Sequence, residues 1–376
     1  MSTCFGFVST FPPTRCGLAT FTSSLRGALV AHGGDEGHVV RLVEAPEPRP
    51  AHEVVAQIAA GDQAGLHRAA VRLNDCDVAI VQHEYGIYGG HDGDEILRLL
   101  DALSVPCIVV LHTVLVQPTH HQREVLEAVA AKADAVVTMS VTGRNCLTSG
   151  YDIDMRKVSI IAHGAPSQLS ATAHAAPLFR SGRPTVLTWG LLGPGKGIEW
   201  GIEAMALLRD LNAQYLVAGQ THPKVVLREG EAYRTALQDR ARSLGLGATV
   251  TFDAQYRDPE ALAALVHSAD MVLLPYDSLD QVTSGVLIEA VAAGKPVVAT
   301  GFPHAVELLA GGAGIVVAHR SPGEIAVALR TLITEREVAA HMAHVAASTA
   351  ARLLWPAVAE QYRALAARLI EAGIAA

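Results

Sequence analysis

Cysteine is scarce in this sequence. The five present are Cys4, Cys16, Cys76, Cys107 and Cys146, and no two form a C-x-x-C pair. An odd, scattered set fits free thiols in a reducing compartment, not a disulfide framework or a zinc cluster. Long apolar runs are missing too: none reaches the roughly 20 residues that span a bilayer. The first eleven residues lack the basic start and apolar stretch of a signal peptide. The expected location is the cytoplasm. A basic excess is also absent, since the formal charge is −8. Nucleic-acid binding needs clustered Lys and Arg, so it is excluded as a partnership. Residues 1–165 hold 12 basic and 18 acidic side chains. That balance leaves at most peripheral contact with an anionic membrane.

What remains is a chain of 376 residues, half of them apolar, long enough for two domains. Short apolar runs alternate with helical stretches, the rhythm of βαβ units and a parallel sheet. Strands are expected at 4–9, 39–43, 77–82, 107–111, 135–139 and 158–162. After a Ser-, Ala-, His- and Pro-rich stretch at 166–184, strands are expected again at 185–189, 214–218, 249–252, 271–274 and 296–299. The sequence Asp258-Pro259-Glu260 predicts a capped helix start, and Ser321-Pro322-Gly323-Glu324 a capping box. The fold class is α/β: two Rossmann-like doubly wound domains facing across a cleft. The expected division is 1–170, a linker at 171–184, a second domain at 185–350, and a final helix at 351–376.

Ligands in such sheets sit beyond the carboxyl ends of the strands, so the loops there carry the argument. Residues 10–17, TFPPTRCG, follow the first strand; Gly17 and Arg15 stand where a phosphate meets a helix start. Residues 190–199, GLLGPGKGIE, deliver Lys196 to a helix start without matching a Walker A loop, since Gly197 follows the lysine. In residues 275–298, Ser284 and Gly285 open a helix. Glu289 lies little more than one turn further, within reach of vicinal hydroxyls. Three histidines, His83 (beside Glu84), His112 and His163, end strands of the first half and converge on one sheet edge.

The ordered set P-P-x-R-x-G, LHT, IIAHGAP, GLLGPGKGIE and SGVLIEAVAAGKPV resembles the retaining family-4 glycosyltransferases of GT-B fold, over nearly the whole chain. LLWPAVAEQYRAL resembles the helix that returns to the first domain in those enzymes. The resemblance implies a nucleotide diphosphate sugar donor, a sugar or glycoconjugate acceptor, and no cofactor or metal. By position, Gly17 would face the donor phosphates and His112 the donor sugar. Lys196 would hold the diphosphate, Glu289 the ribose, and the amides of Ser284 and Gly285 a phosphate. Arg144 matches a recurrent arginine, and His83, Glu84 and Tyr85 fall where an acceptor would enter. Leu191 replaces the family's arginine and Gln281 its second glutamate, so Gln281 meets the donor without charge and Arg15 is one candidate for the missing cation.

The resemblance implies hexosyl transfer with retained configuration, mannosyl or glucosyl foremost. Charge on the departing diphosphate dominates that barrier. No paired carboxylates supply a nucleophile. Two other readings stay open: a retaining sugar phosphorylase on the same fold, and a non-catalytic nucleotide-sugar-binding protein.

Overall fold

The computed structural model describes residues 2–31, 33–170 and 182–375. The chain divides into two compact units, Met1–Gly164 with Trp355–Ala376, and Ala165–Leu354. Of the stretch expected as a linker, residues 171–181 lie outside the described residues. Residues just before it belong to the second unit: Ala165 donates its amide to Leu353 O at 2.7 Å, and Leu169 is fully buried.

The first unit is built on seven parallel strands: β1 (Cys4–Ser9), β2 (Glu36–Val43), β3 (Val54–Ala59), β4 (Val78–His83), β5 (Cys107–Leu111), β6 (Ala135–Thr138) and β7 (Val158–Ile160). Their order is β3-β2-β1-β4-β5-β6-β7. Strand order therefore reverses between β1 and β4, where the loops leaving the sheet diverge to opposite faces and open a crevice. The second unit repeats the plan with β8 (Thr185–Trp189), β9 (Gln214–Ala218), β10 (Val250–Asp253), β11 (Met271–Leu274), β12 (Val297–Thr300) and β13 (Gly314–Val317). These run β10-β9-β8-β11-β12-β13, so the reversal falls between β8 and β11. Two Rossmann-like parallel α/β domains result.

The central strands β4, β5, β6, β8, β11 and β12 are buried at every position. That is why they read as unbroken apolar runs. Two strands were not expected from sequence, β3 and β13. Both are edge strands with mixed burial, so neither shows a continuous apolar run. The Asp258 cap forms, its carboxylate accepting from the Ala261 amide at 2.8 Å. The Ser321 box forms by half. Ser321 accepts from the Glu324 amide, but the Glu324 carboxylate turns away to take the Ala318 amide at 2.9 Å.

The last helix, Trp355–Ala375, packs in the first unit. Trp355, Val358, Ala359, Tyr362, Leu365 and Ala366 recur at helical spacing and share one core with Phe21, Leu25 and Leu29. Each large side chain so buried contributes about 1.5–3 kcal/mol. Gly164 is required by this packing, because a Cβ there would meet Trp355 Cδ2 at 2.2 Å.

Candidate active site

In the first unit the three strand-end histidines do meet. The His112 amide donates to His83 O at 3.1 Å. Phe21 lies edge-on to His112 at 4.7 Å, to His163 at 5.0 Å and to Trp355 at 5.0 Å between ring centroids. Nε2 of His112 lies 2.7 Å from Gln82 Oε1. An amide oxygen only accepts, so as placed Nε2 carries the proton and Nδ1 the lone pair. Burial, then the neighbouring His163 and His83, lowers the His112 imidazole to about 3. At neutral pH the half-buried ring is uncharged and hydrogen-bonds without titrating.

From the last residue of β4 onward, the side chains divide by exposure. His83 is 1% exposed, burial lowers it to about 4, and neither ring nitrogen has a hydrogen-bond partner in the protein. Tyr85 is buried, with its hydroxyl donating to Gln122 O at 3.3 Å. Both side chains are thus buried at the end of β4, where the sequence places an acceptor entrance. Glu84 stays half-exposed and accepts from the Thr113 hydroxyl. Arg144 is exposed on the helix Val141–Gly150. Arg15 and Gly17 are exposed at the start of the helix Gly17–Val30, and a Cβ at Gly17 would enter open space. Cys16 caps that helix: its sulfur accepts from the Ala19 amide at 3.4 Å.

In the second unit the loops after β8 and β11 are joined. The Asp277 amide donates to Gly195 O at 2.9 Å. Gly197 has φ +60°, and a Cβ there would sit 1.8 Å from Pro275 O, so only glycine fits. The join seats Lys196 Nζ 4.2 Å from the ring centroid of Tyr276. That face holds the ammonium by cation–π attraction while a second side remains for an anion.

Glu289 lies on the helix Gly285–Ala292. Its Oε2 accepts from Trp189 Nε1 at 3.0 Å. Burial raises the carboxyl to about 7, against the opposing pull of that hydrogen bond. Ser284 caps the helix, accepting from the Leu287 amide at 3.3 Å. Its own amide donates to His304 Nδ1 at 2.9 Å, which corrects the expectation that it cradles phosphate. Burial lowers His304 to about 4, so the ring is neutral and able to accept. Gly285 and Val286 are the first-turn amides left for an anion. Gln281 spends its Nε2 on Thr283 O at 3.1 Å.

Four positioning residues escaped sequence reading: Gln82, Trp189, His304 and His222. The first two are the penultimate and last residues of strands β4 and β8, where a polar or indole group was the available signal. His222 caps the helix Pro223–Glu229. Burial, then the charges of Lys224, Lys196 and Arg228, holds its imidazole below the ordinary range. Lys196 is thus one of three cations whose charge reaches His222. No helix among the described residues is long and apolar enough to cross a membrane.

The sequence model of the glycosyl transferases group 1 family matches residues 170–349. A D-inositol 3-phosphate glycosyltransferase of Corynebacterium kroppenstedtii is 27% identical over 288 residues, covering 68% of this chain and 60% of that protein. The chain thus matches about three-fifths of that relative's length. Sucrose-phosphate synthase of Thermosynechococcus elongatus shares the fold with a TM-score of 0.75 at 18% identity, covering 98% of this chain and 100% of that one. HepE of Anabaena, crystallised with UDP-glucose, shares it at 0.71 and 18%, covering 97% and 100%. These neighbours are GT-B glycosyltransferases, and the two parallel-sheet units have that fold. Residues 170–349 are thus similar in sequence to the glycosyl transferases group 1 family.

Proposed function

We propose that the protein is a retaining glycosyltransferase that moves a hexosyl group from a nucleotide diphosphate sugar to an acceptor hydroxyl. The observation that carries this reading is the arrangement at the reversal between β8 and β11. There one pair of joined loops presents an ammonium, two first-turn amides and a carboxyl anchored by an indole. Lys196 and the amides of Gly285 and Val286 take the diphosphate; Glu289 takes the ribose hydroxyls. Lys224 and Arg228 supply the positive charge that Leu191 lacks.

The bond from the anomeric carbon to the diphosphate oxygen breaks as charge builds on that oxygen, which the cations and amides stabilise. The acceptor oxygen bonds to the same carbon from the same face, and its proton passes to the departing phosphate. His112, neutral, hydrogen-bonds the sugar without exchanging a proton. In the first unit Gly17 and Arg15 serve the donor phosphates, and Glu84 and Arg144 the acceptor.

UDP-glucose is the donor to try first, from the HepE complex, with GDP-mannose beside it. A phosphorylated polyol is the first acceptor, from the name of the corynebacterial relative. Five free thiols support a reducing, cytoplasmic setting. The test is proton NMR of the product formed from an α-linked donor: an α-linked product supports the reading, and a β-linked one rejects retention. Sugar phosphate released from a disaccharide and inorganic phosphate, with no nucleotide needed, identifies a phosphorylase instead.

A further inference from the structure

The segment that follows β4 carries a group of ligating side chains with no part in the reaction proposed above. His91, Asp92 and His121 each offer one atom, and these atoms lie within 4.8 Å of one another. Asp92 Oδ2 is 3.0 Å from His121 Nδ1 and 3.6 Å from His91 Nδ1. Ligands about 2.0–2.2 Å from a tetrahedral Zn2+ stand roughly 3.3–3.5 Å apart, so these separations nearly match such an ion without rearrangement.

The surroundings agree with the ligand set. Nε2 of His121, the nitrogen facing away from the group, lies 3.7 Å from Asp94 Oδ2. A carboxylate at ion-pair distance behind a ligating imidazole raises its basicity by its charge. The second Asp92 oxygen accepts from Gln122 Nε2 at 3.4 Å. The backbone is wound to bring the ligands together: Gly90, Asp92 and Gly93 all have positive φ, and Asp92 adopts +50° although it is not glycine. A non-glycine residue held in that region is strained and persists where its surroundings impose it. Asp92 is 20% and His121 34% exposed, whereas His91 is 75% exposed. The group is therefore reachable from solvent and leaves a fourth position for water.

We propose that His91, Asp92 and His121 form a binding site for a divalent transition ion of the Zn2+ class, with Asp94 orienting His121. Two imidazoles and one carboxylate select such ions over Mg2+ and Ca2+, which take oxygen ligands. The ion fastens the 84–95 segment to the helix His120–Lys132 and so steadies the stretch that carries Glu84.

The test is titration of tag-free, chelator-treated full-length protein with Zn2+, and with Co2+ as a spectroscopic probe. One equivalent of Zn2+ binds, Co2+ gives the visible absorption of a tetrahedral site, and hydrogen exchange slows in residues 84–95. Asp94→Asn weakens Zn2+ binding by about tenfold. His91→Ala with His121→Ala removes the Co2+ absorption while circular dichroism stays that of the parent. Binding that survives the double substitution overturns the proposal and directs attention to Cys4, Glu36 and His38, the other such group among the described residues. No binding by the parent protein, or equal response to Mg2+, overturns it as well.

Discussion

The indole Nε1 of Trp189 donates to Oε2 of Glu289 at 3.0 Å, linking residues a hundred positions apart in sequence. The bond aims a carboxyl that burial otherwise holds near neutrality, with a value of about 7. Raised in the folded state, such an acid binds more protons folded than unfolded, so its burial costs stability as pH rises from about 4.5 through 7. Glu289→Gln should therefore stabilise the free protein at pH 8, by about 2 kcal/mol, and have little effect at pH 4.5. Thermal melts at the two pH values check this, and equal effects at both would contradict it.

Lys196→Ala removes the ammonium that Tyr276 seats. Turnover should fall about a hundredfold, the scale for losing one preorganised donor at a leaving group. The melting temperature should stay that of the parent, since the side chain is only half-buried. Lys224→Ala and Arg228→Ala should each weaken donor binding less. Steady-state kinetics on the three variants decides the order, and unchanged turnover in Lys196→Ala removes the lysine from the site.

His304 accepts the Ser284 amide as a neutral ring. Its folded-state value, about 4, lies below the ordinary 6.5. The unfolded chain thus binds the extra proton in that window, and stability is lost as pH falls from 6.5 towards 4. His304→Ala leaves the buried amide unpaired and should cost about 1–3 kcal/mol at pH 7.5. It should also flatten the acid limb of the stability profile, which urea unfolding across pH measures.

Gly164→Ala would drive a methyl into Trp355, where the nearest ring atom is 2.2 Å from the ideal Cβ. Overpacking of this kind costs about 1–3 kcal/mol. The final helix should loosen, with faster hydrogen exchange along 355–370 and little change in residues 185–350.

Much of this was legible in the sequence because central parallel strands are buried on both faces. Strands β1, β5, β8, β9 and β11 match their expected bounds. β3 and β13 escaped because an edge strand is half-exposed and breaks the apolar run. Lys196 and Glu289 stood out through glycine spacing and helix position. What failed was accounting for hydrogen bonds that cross from one element to another. Nothing near Ser284 in the chain announces that His304, twenty residues on, takes its amide. Nor does the sequence around His83 and Tyr85 show that both side chains are buried. Lys224 and Arg228, proposed to offset the arginine replaced by Leu191, lie on the helix Pro223–Glu229, outside the loop that a reading of residues 190–199 covers.

The most direct measurement is isothermal titration of nucleotide diphosphate sugars, UDP-glucose and GDP-mannose first, into the parent protein, Lys196→Ala and Glu289→Gln. One donor should bind the parent at one equivalent, with affinity rising as pH passes through 7. Both variants should bind it about tenfold or more weakly, the scale of a lost charge-assisted hydrogen bond. If no nucleotide sugar binds, or if both variants bind as the parent does, the donor site between β8 and β11 is wrongly assigned.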